Sequence, residues 1–492
     1  MNGLESLLGQ IAGHDGILAW DGGREVASYA SVWNMTEKNA TALSKLGFVK
    51  GEAGRPRQVL LASVSLGWRF LPVMLAALHT GVTLVPVDDS RYKGQSGAVR
   101  SRFPDALVLD EGNVGEDGGV LVQRIPAAVR RAEPALADVA FLLGTSGTTG
   151  KPKAVMLTEA NIASNTRAIS AYFGLGRGDR LLVARSPVHA SVLIGELLAG
   201  LVSGCSFSLH PTAASPMSLL KRAQADAVTA ACMTPSAANL LAPFAERAET
   251  DTLRKLVLSG ECAHEFQLKR VAQAFPQAAL WNAYGLTEAS PRISCLRDGW
   301  LAAGWSCAGT PLDGVDIRIV DGEGRTLREG EEGELLVRGP NIMKGYYADE
   351  AATAAKLEGG WLHTADLAAV RSGRLHVYGR SDSTIIRGGT NIHPAEVEAA
   401  LLACGGVREA VVFGAADSRL GQKVHAWIVT EPGVDEKAVM RALAATELER
   451  RFLPDVLERK GALERTAAGK LVRPYAGAKP QGSGGSTGSG SA

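Results

Sequence analysis

Cysteine is scarce and scattered in this chain. Cys205, Cys232, Cys262, Cys295, Cys307 and Cys404 are the whole set, with no CxxC pair and no histidine at ligand spacing. A disulfide framework and a structural zinc site are therefore not expected; the thiols read as reduced core residues of a cytoplasmic protein. Charge of one sign is also missing: 52 basic residues stand against 51 acidic ones, with no Lys or Arg tract. A nucleic-acid or anionic-membrane partner thus gets no electrostatic support. There is no long apolar run, since the richest stretch, 181 to 209, is broken by Arg185, His189 and Glu196. The N-terminus, MNGLESLLGQIAGHDG, lacks the basic start and apolar segment of a signal peptide. No repeat recurs at solenoid periods.

What is present is ordinary globular composition, 46% hydrophobic and 21% charged over 492 residues. Such a length suits one large domain plus a smaller one, or two to three average domains. Strand-like runs alternate with Ala/Leu-rich helical ones: QVLLASVSL, WRFLPVMLAALHTG and VTLVPVD, then DAVTAACM, TPSAANLLAPFAERA and RKLVLSG. This alternation predicts an α/β fold, parallel or mixed sheets layered with helices. After Tyr378 the character changes to hairpin, loop, helix and strand, then a strand (KVHAWIVT) and a helix (EKAVMRALAATELERRF), as in a small α+β domain. The expected division is 1–379, a large N-terminal domain; 380–479, a small C-terminal domain; and 480–492, a Gly/Ser tail that reads as a flexible linker or fusion remnant. Composition alone fits one continuous domain as well.

The strongest local signal is LLGTSGTTGKPKAVMLTEANI, 142 to 162. A strand leads into Gly, Ser and Thr and then two lysines. Glycine lets backbone N–H groups approach an anion, hydroxyls add donors, and lysine supplies positive charge. It is not a Walker A loop, because Gly150-Lys151 is followed by Pro152 rather than Ser or Thr. Composition alone would fit a surface hairpin equally.

The full string GTSGTTGKPK resembles the phosphate loop of the adenylate-forming superfamily, which includes acyl- and aryl-CoA synthetases, luciferases and peptide-synthetase adenylation domains. Four further strings are similar to that family in the same order: WNAYGLTEAS (281–290), GELLVRGPNIMKGYY with GWLHTADLA (333–347 and 360–368), GRSDSTIIRGGTNIHPAEVE (379–398) and ERTAAGKLVR (464–473). The resemblance implies a small, mobile C-terminal domain and an enzyme that uses ATP and Mg²⁺ to make an acyl-AMP, then passes the acyl group to a thiol.

It also implies the site. Thr145, Ser146, Gly147, Thr148, Thr149 and Lys153 would surround the β- and γ-phosphates. Tyr284 would stack on adenine beside Asn282, Ala283 and Gly285, with the backbone of Gly260, Glu261 and Cys262 on the other face. Thr287 would bond the α-phosphate and Glu288 would hold Mg²⁺, a cation that prefers oxygen ligands. Asp366 and Arg380 would hold the ribose, Asp382 would be the hinge, and Gly388 and Gly389 would pack against a thiol-bearing arm. Lys470 would bridge the attacking carboxylate and the α-phosphate, steadying charge at phosphorus. Taken singly, Tyr284 is a plausible core aromatic, and Lys470 a plain surface lysine.

The stretch SPVHASVLIGE (186–196) departs from amino-acid-activating relatives, which by the resemblance carry an Asp there for the substrate ammonium. Here Val188-His189-Ala190-Ser191 stands instead, so the expected substrate is a carboxylic acid without an α-amine. His189 would gate or line the acyl site; alone it fits a half-buried structural histidine. By the same resemblance Val192, Leu193, Met233, Thr234, Ser259, Leu286, Ser290 and Pro291 complete the acyl pocket, suiting an aryl or short-to-medium aliphatic acid. The acceptor would be CoA or the phosphopantetheine of a carrier protein. The alternatives are a stand-alone amino-acid-type adenylation domain, an oxidative luciferase-like branch, and a non-catalytic nucleotide-binding interaction module.

Overall fold

The computed structural model describes residues 3–48, 57–90, 94–122, 132–145, 153–210, 215–248, 250–297, 299–304, 306–465 and 471–474. The chain forms two compact units, Met1–Tyr378 and Gly379–Ala492.

The described residues of the first unit form two sheets. The smaller has six strands. Its core, Val59–Ser63, Thr83–Val87, Leu107–Leu109 and Val139–Gly144, is parallel, and Ala154–Thr158 adds to it antiparallel. Val139–Gly144 is buried over its first five residues and exposed at Gly144, as expected of a strand with both faces covered. The larger sheet has fourteen strands. Its centre is parallel: Ser206–Leu209, Arg180–Val183, Ala230–Met233, Lys255–Ser259 and Ala279–Tyr284 follow one another, and antiparallel strands complete it. Helices cover these strands with apolar faces. Phe70–Thr80, for example, is buried along almost its whole length and ends on Gly81 in the left-handed conformation, where glycine bears no Cβ penalty.

The second unit is a five-stranded sheet packed by helix Pro394–Ala403. The strands Val407–Asp417 and Gly421–Thr430 form its long antiparallel pair, and Val456–Arg459 adds parallel to it. The helix expected over EKAVMRALAATELERRF is shorter than the sequence suggested, running only Glu436–Ala444. Thr446 ends it: its hydroxyl donates to the Leu443 carbonyl and accepts the Leu448 N–H, competing with the helical ladder. A short 3₁₀ turn, Arg450–Phe452, takes up the remainder.

Candidate active site

The phosphate-loop string leaves strand Val139–Gly144 and returns as strand Ala154–Thr158. The loop is pinched at its base, where the Thr145 N–H donates to the Lys153 carbonyl at 2.9 Å. Ser146, Gly147, Thr148 and Thr149 lie outside the described residues, as does Lys470. The Lys153 ammonium sits 4.9 Å from the ring centroid of Tyr346, a cation–π contact. The Tyr346 hydroxyl in turn donates to Glu288 Oε1 at 2.7 Å. Glu288 is held from behind as well, its carbonyl accepting the Met343 N–H at 2.9 Å. Lys153, Tyr346 and Glu288 thus form one charged cluster at the root of the loop. Tyr346 is a member that sequence reading missed, although it stands in the quoted KGYY string.

The second group is built on the register of two parallel strands. Ser259 pairs with Ala283, so Gly260 leaves its strand beside Tyr284. Gly260 has φ +97°, a region that favours glycine. At Gly285 a Cβ would stand 1.8 Å from the Pro291 carbonyl, so only glycine allows the chain to fold back there. The turn Thr287–Ala289 follows, with Ser290 at φ +61°, and the Ile293 N–H returns to the Tyr284 carbonyl at 2.9 Å. Thr287 and Glu288 are thereby presented side by side on a rigid turn. Asn282 is anchored by donating to the Cys307 carbonyl at 2.8 Å. The Tyr284 hydroxyl donates to the carboxylate of Asp366, which is only 5% exposed. Glu261 is spent on structure: its carboxylate accepts the Ser236 N–H at 2.6 Å, in the first turn of helix Pro235–Leu241.

On the acyl side, His189 is half-buried and opens a helical turn, its carbonyl accepting the Val192 and Leu193 N–H groups. Val192 and Leu193 are fully buried in the main core. Met233 packs in a separate apolar cluster with Ala238 and Leu241. The Thr234 hydroxyl caps the helix that follows it. Leu286 packs against the main core, while Ser259 and Ser290 are buried with hydroxyls that have no hydrogen-bond partner among the described residues. Beside them lies an ion pair not read from the sequence, Arg185 Nη2 to Glu196 Oε1 at 2.6 Å. Arg380 ends strand Arg374–Arg380 and Asp382 follows in the turn Ser381–Ser383; both belong to the second unit.

This donor set suits a nucleotide with its magnesium. Among the described residues no cluster of three or more His, Cys, Asp or Glu side chains forms a closed metal cage. Magnesium is commonly held by one or two carboxylates together with substrate phosphate oxygens. Glu288 beside Thr287, with the Lys153 ammonium nearby, offers that arrangement.

The chain belongs to the AMP-binding enzyme family. That family's profile matches residues 99–347, and the profile of the AMP-binding enzyme C-terminal domain matches 396–470. The chain is 34% identical over 343 residues to a feruloyl-CoA synthase of an Amycolatopsis species, covering 69% of each chain. It is 34% identical over 449 residues to a 2-succinylbenzoate–CoA ligase of Bacillus pumilus, covering 88% of each. Among solved structures it is similar to the o-succinylbenzoate CoA synthetase of Bacillus subtilis in complex with its acyl-adenylate, at TM-score 0.76 and 26% identity, covering 96% of each chain. Among the described residues no helix is long and apolar enough to cross a membrane.

Proposed function

We propose that this protein is an AMP-forming acid–thiol ligase. It activates a carboxylic acid, aryl or short-to-medium aliphatic and lacking an α-amine, to its acyl-AMP with release of pyrophosphate, and then transfers the acyl group to the thiol of CoA. The observation that carries this reading is the Lys153–Tyr346–Glu288 cluster at the root of the phosphate loop, next to the Tyr284–Asp366 pair. The names of the three relatives given above, a CoA synthase, a CoA ligase and a CoA synthetase, support CoA over a carrier protein as acceptor.

The chemistry needs no nucleophilic side chain. The acid's own carboxylate attacks the α-phosphorus, pyrophosphate leaves, and the protein positions the partners and neutralises charge. Lys153 and the hydroxyl-rich loop hold the β- and γ-phosphates. Thr287 bonds the α-phosphate, while Tyr284 and the Gly260–Cys262 backbone flank adenine. Asp366 and Arg380 hold the ribose, and Glu288 ligates the metal. Bound magnesium supplies charge neutralisation for the phosphates. Lys470 steadies the charge that builds at phosphorus. A rotation of the second unit about Asp382 then exchanges the Lys470 loop for the Gly388-Gly389 loop, and the thiolate attacks the acyl carbon with AMP as leaving group. All six cysteines are unbridged, which suits a reducing, cytoplasmic setting.

The test is a pyrophosphate-release screen over a panel of carboxylic acids with Mg²⁺ and ATP, with CoA or a phosphopantetheinylated carrier protein as acceptor. Acid-dependent pyrophosphate and a CoA thioester are expected. Orthophosphate released without any acid would mark an ATPase and overturn the reading.

A further inference from the structure

Three charged side chains meet in the interior where the acyl-side residues converge. Arg185, with its side chain 16% exposed, pairs through Nη2 with Glu196, which is fully buried. Arg292, 3% exposed, hydrogen-bonds Tyr172 and also acts on Glu196 through charge. Cys232 lies within electrostatic reach of all three, and burial pushes its thiol well above the ordinary range. Burial likewise raises the Glu196 carboxyl, while Arg185 pulls it back. The cluster therefore carries a net charge of +1 with Glu196 ionised and +2 with it protonated. Positive charge remains in either state.

Among the described residues, Arg185 Nε, Arg292 Nε, Ser259 Oγ and Ser290 Oγ are buried without a hydrogen-bond partner, as is Glu196 Oε2. Buried polar atoms are ordinarily satisfied, so donors left over beside the acyl-side residues can serve an acceptor brought by a ligand. Their placement points to the acyl site. Arg185 Nη1 lies 3.8 Å from where a Gly260 Cβ would stand, and Thr234 Cγ2 lies 3.7 Å from the same point. Arg292 directly follows Pro291, and its Nη2 is 3.7 Å from a Cβ built at Gly195. Arg185 also borders a small, partly open cleft lined by Phe70, Leu71, Val183, Leu197, Leu209 and His210.

Resting on the acid-activating reading above, we propose that the substrate is a dicarboxylic acid, adenylated at one carboxylate while Arg185, backed by Arg292, receives the other. Arginine suits this task because its planar fork offers several donors to a carboxylate, and Glu196 engages Arg185 through Nη2. Glu196 holds the guanidinium in place.

The experiment compares matched acids, benzoate with isophthalate and terephthalate, hexanoate with adipate, by kcat/KM for pyrophosphate release. Three proteins are used: wild type, R185K and the double variant R185Q/E196Q, which removes both partners of the buried pair at once. Melting temperature with and without ATP reports whether each variant is folded. In wild type at least one dicarboxylate should exceed its monoacid by at least about 10²-fold; a site built to hydrogen-bond a polar group can reject the analogue lacking it by up to roughly 10⁴–10⁵-fold. R185K should keep part of that preference. The folded double variant should lose most of it, chiefly through KM for the dicarboxylate. Monoacids used as well as dicarboxylates by wild type, or an unchanged preference in the double variant, overturn the assignment while the acid-activating function stands. No acid of either kind releasing pyrophosphate overturns the function itself, and the assignment with it.

Discussion

The hydroxyl of Tyr284 donates a hydrogen bond to the carboxylate of Asp366, tying together two strings that lie 82 residues apart in the chain. One residue presents an aromatic ring and the other a buried carboxylate, so the bond orients both at once. Y284F keeps the ring but leaves Asp366 short of a donor. Hydrogen bonds to charged groups contribute about 1.5–3 kcal/mol, so kcat/KM for ATP should fall roughly 10- to 10²-fold. Y284A, which removes the ring as well, should fall further. ATP saturation curves for the two variants check this, and equal values in wild type and Y284F would show that the bond has no part in nucleotide binding.

Glu288 and Tyr346 form the second test. E288Q keeps the shape of the side chain and its contact with the Tyr346 hydroxyl but removes the charge that a hard cation needs. The Mg²⁺ concentration for half-maximal activity should rise at least about tenfold, with little change in melting temperature because the carboxylate is half-exposed. Chelation of Mg²⁺ should stop wild-type turnover reversibly. An unaltered Mg²⁺ dependence in E288Q would remove Glu288 from the metal site.

Lys470 is expected to serve only the first half-reaction. K470A should slow acyl-AMP formation by about 10²- to 10³-fold, the scale of losing one charge-stabilising donor. Thioester formation from supplied acyl-AMP should change far less. Equal damage to both steps would make the lysine structural, or contradict the proposed exchange of loops.

Much of this was legible in the chain. Alternation of apolar runs predicts layered sheets and helices because each strand buried on both faces must be nearly continuous in Val, Ile and Leu. The strings around Thr145, Tyr284 and Asp366 are contiguous, so their chemistry can be read locally. Arg185 and Arg292 could not be read that way. An arginine in a loop is ordinarily solvated, and nothing local indicates that Arg292 will be enclosed by a turn that folds back at Gly285. The partner of Arg185 lies eleven residues on, inside the π-helical turn Leu193–Leu198, while Arg185 itself stands in the loop before that helix, so no helical spacing relates the two. Tyr346 was visible as a residue but not as a partner, because its bond to Glu288 spans 58 residues.

The last prediction concerns substrate charge. His189 stands in the stretch where amino-acid-activating relatives are expected to carry an ammonium-pairing Asp, and the remaining acid within reach along the chain is Glu196. Glu196 is fully buried and its Oε1 is engaged by Arg185 at 2.6 Å, so its charge is already countered. An α-amino acid entering beside Arg185 and Arg292 would bring a third positive charge to a cluster that already has an excess of them. Burying an unpaired ammonium costs several kcal/mol. Desamino acids should therefore exceed their α-amino counterparts by at least about 10²-fold in kcat/KM, equivalent to roughly 2.7 kcal/mol. H189D should narrow the gap by supplying the missing counter-charge, even where it lowers activity on the simple acid. Competition between one acid and its α-amino form, in wild type and H189D, reads both effects. An α-amino acid adenylated by wild type as well as every simple acid tested would sink the specificity claim and leave the adenylation chemistry standing.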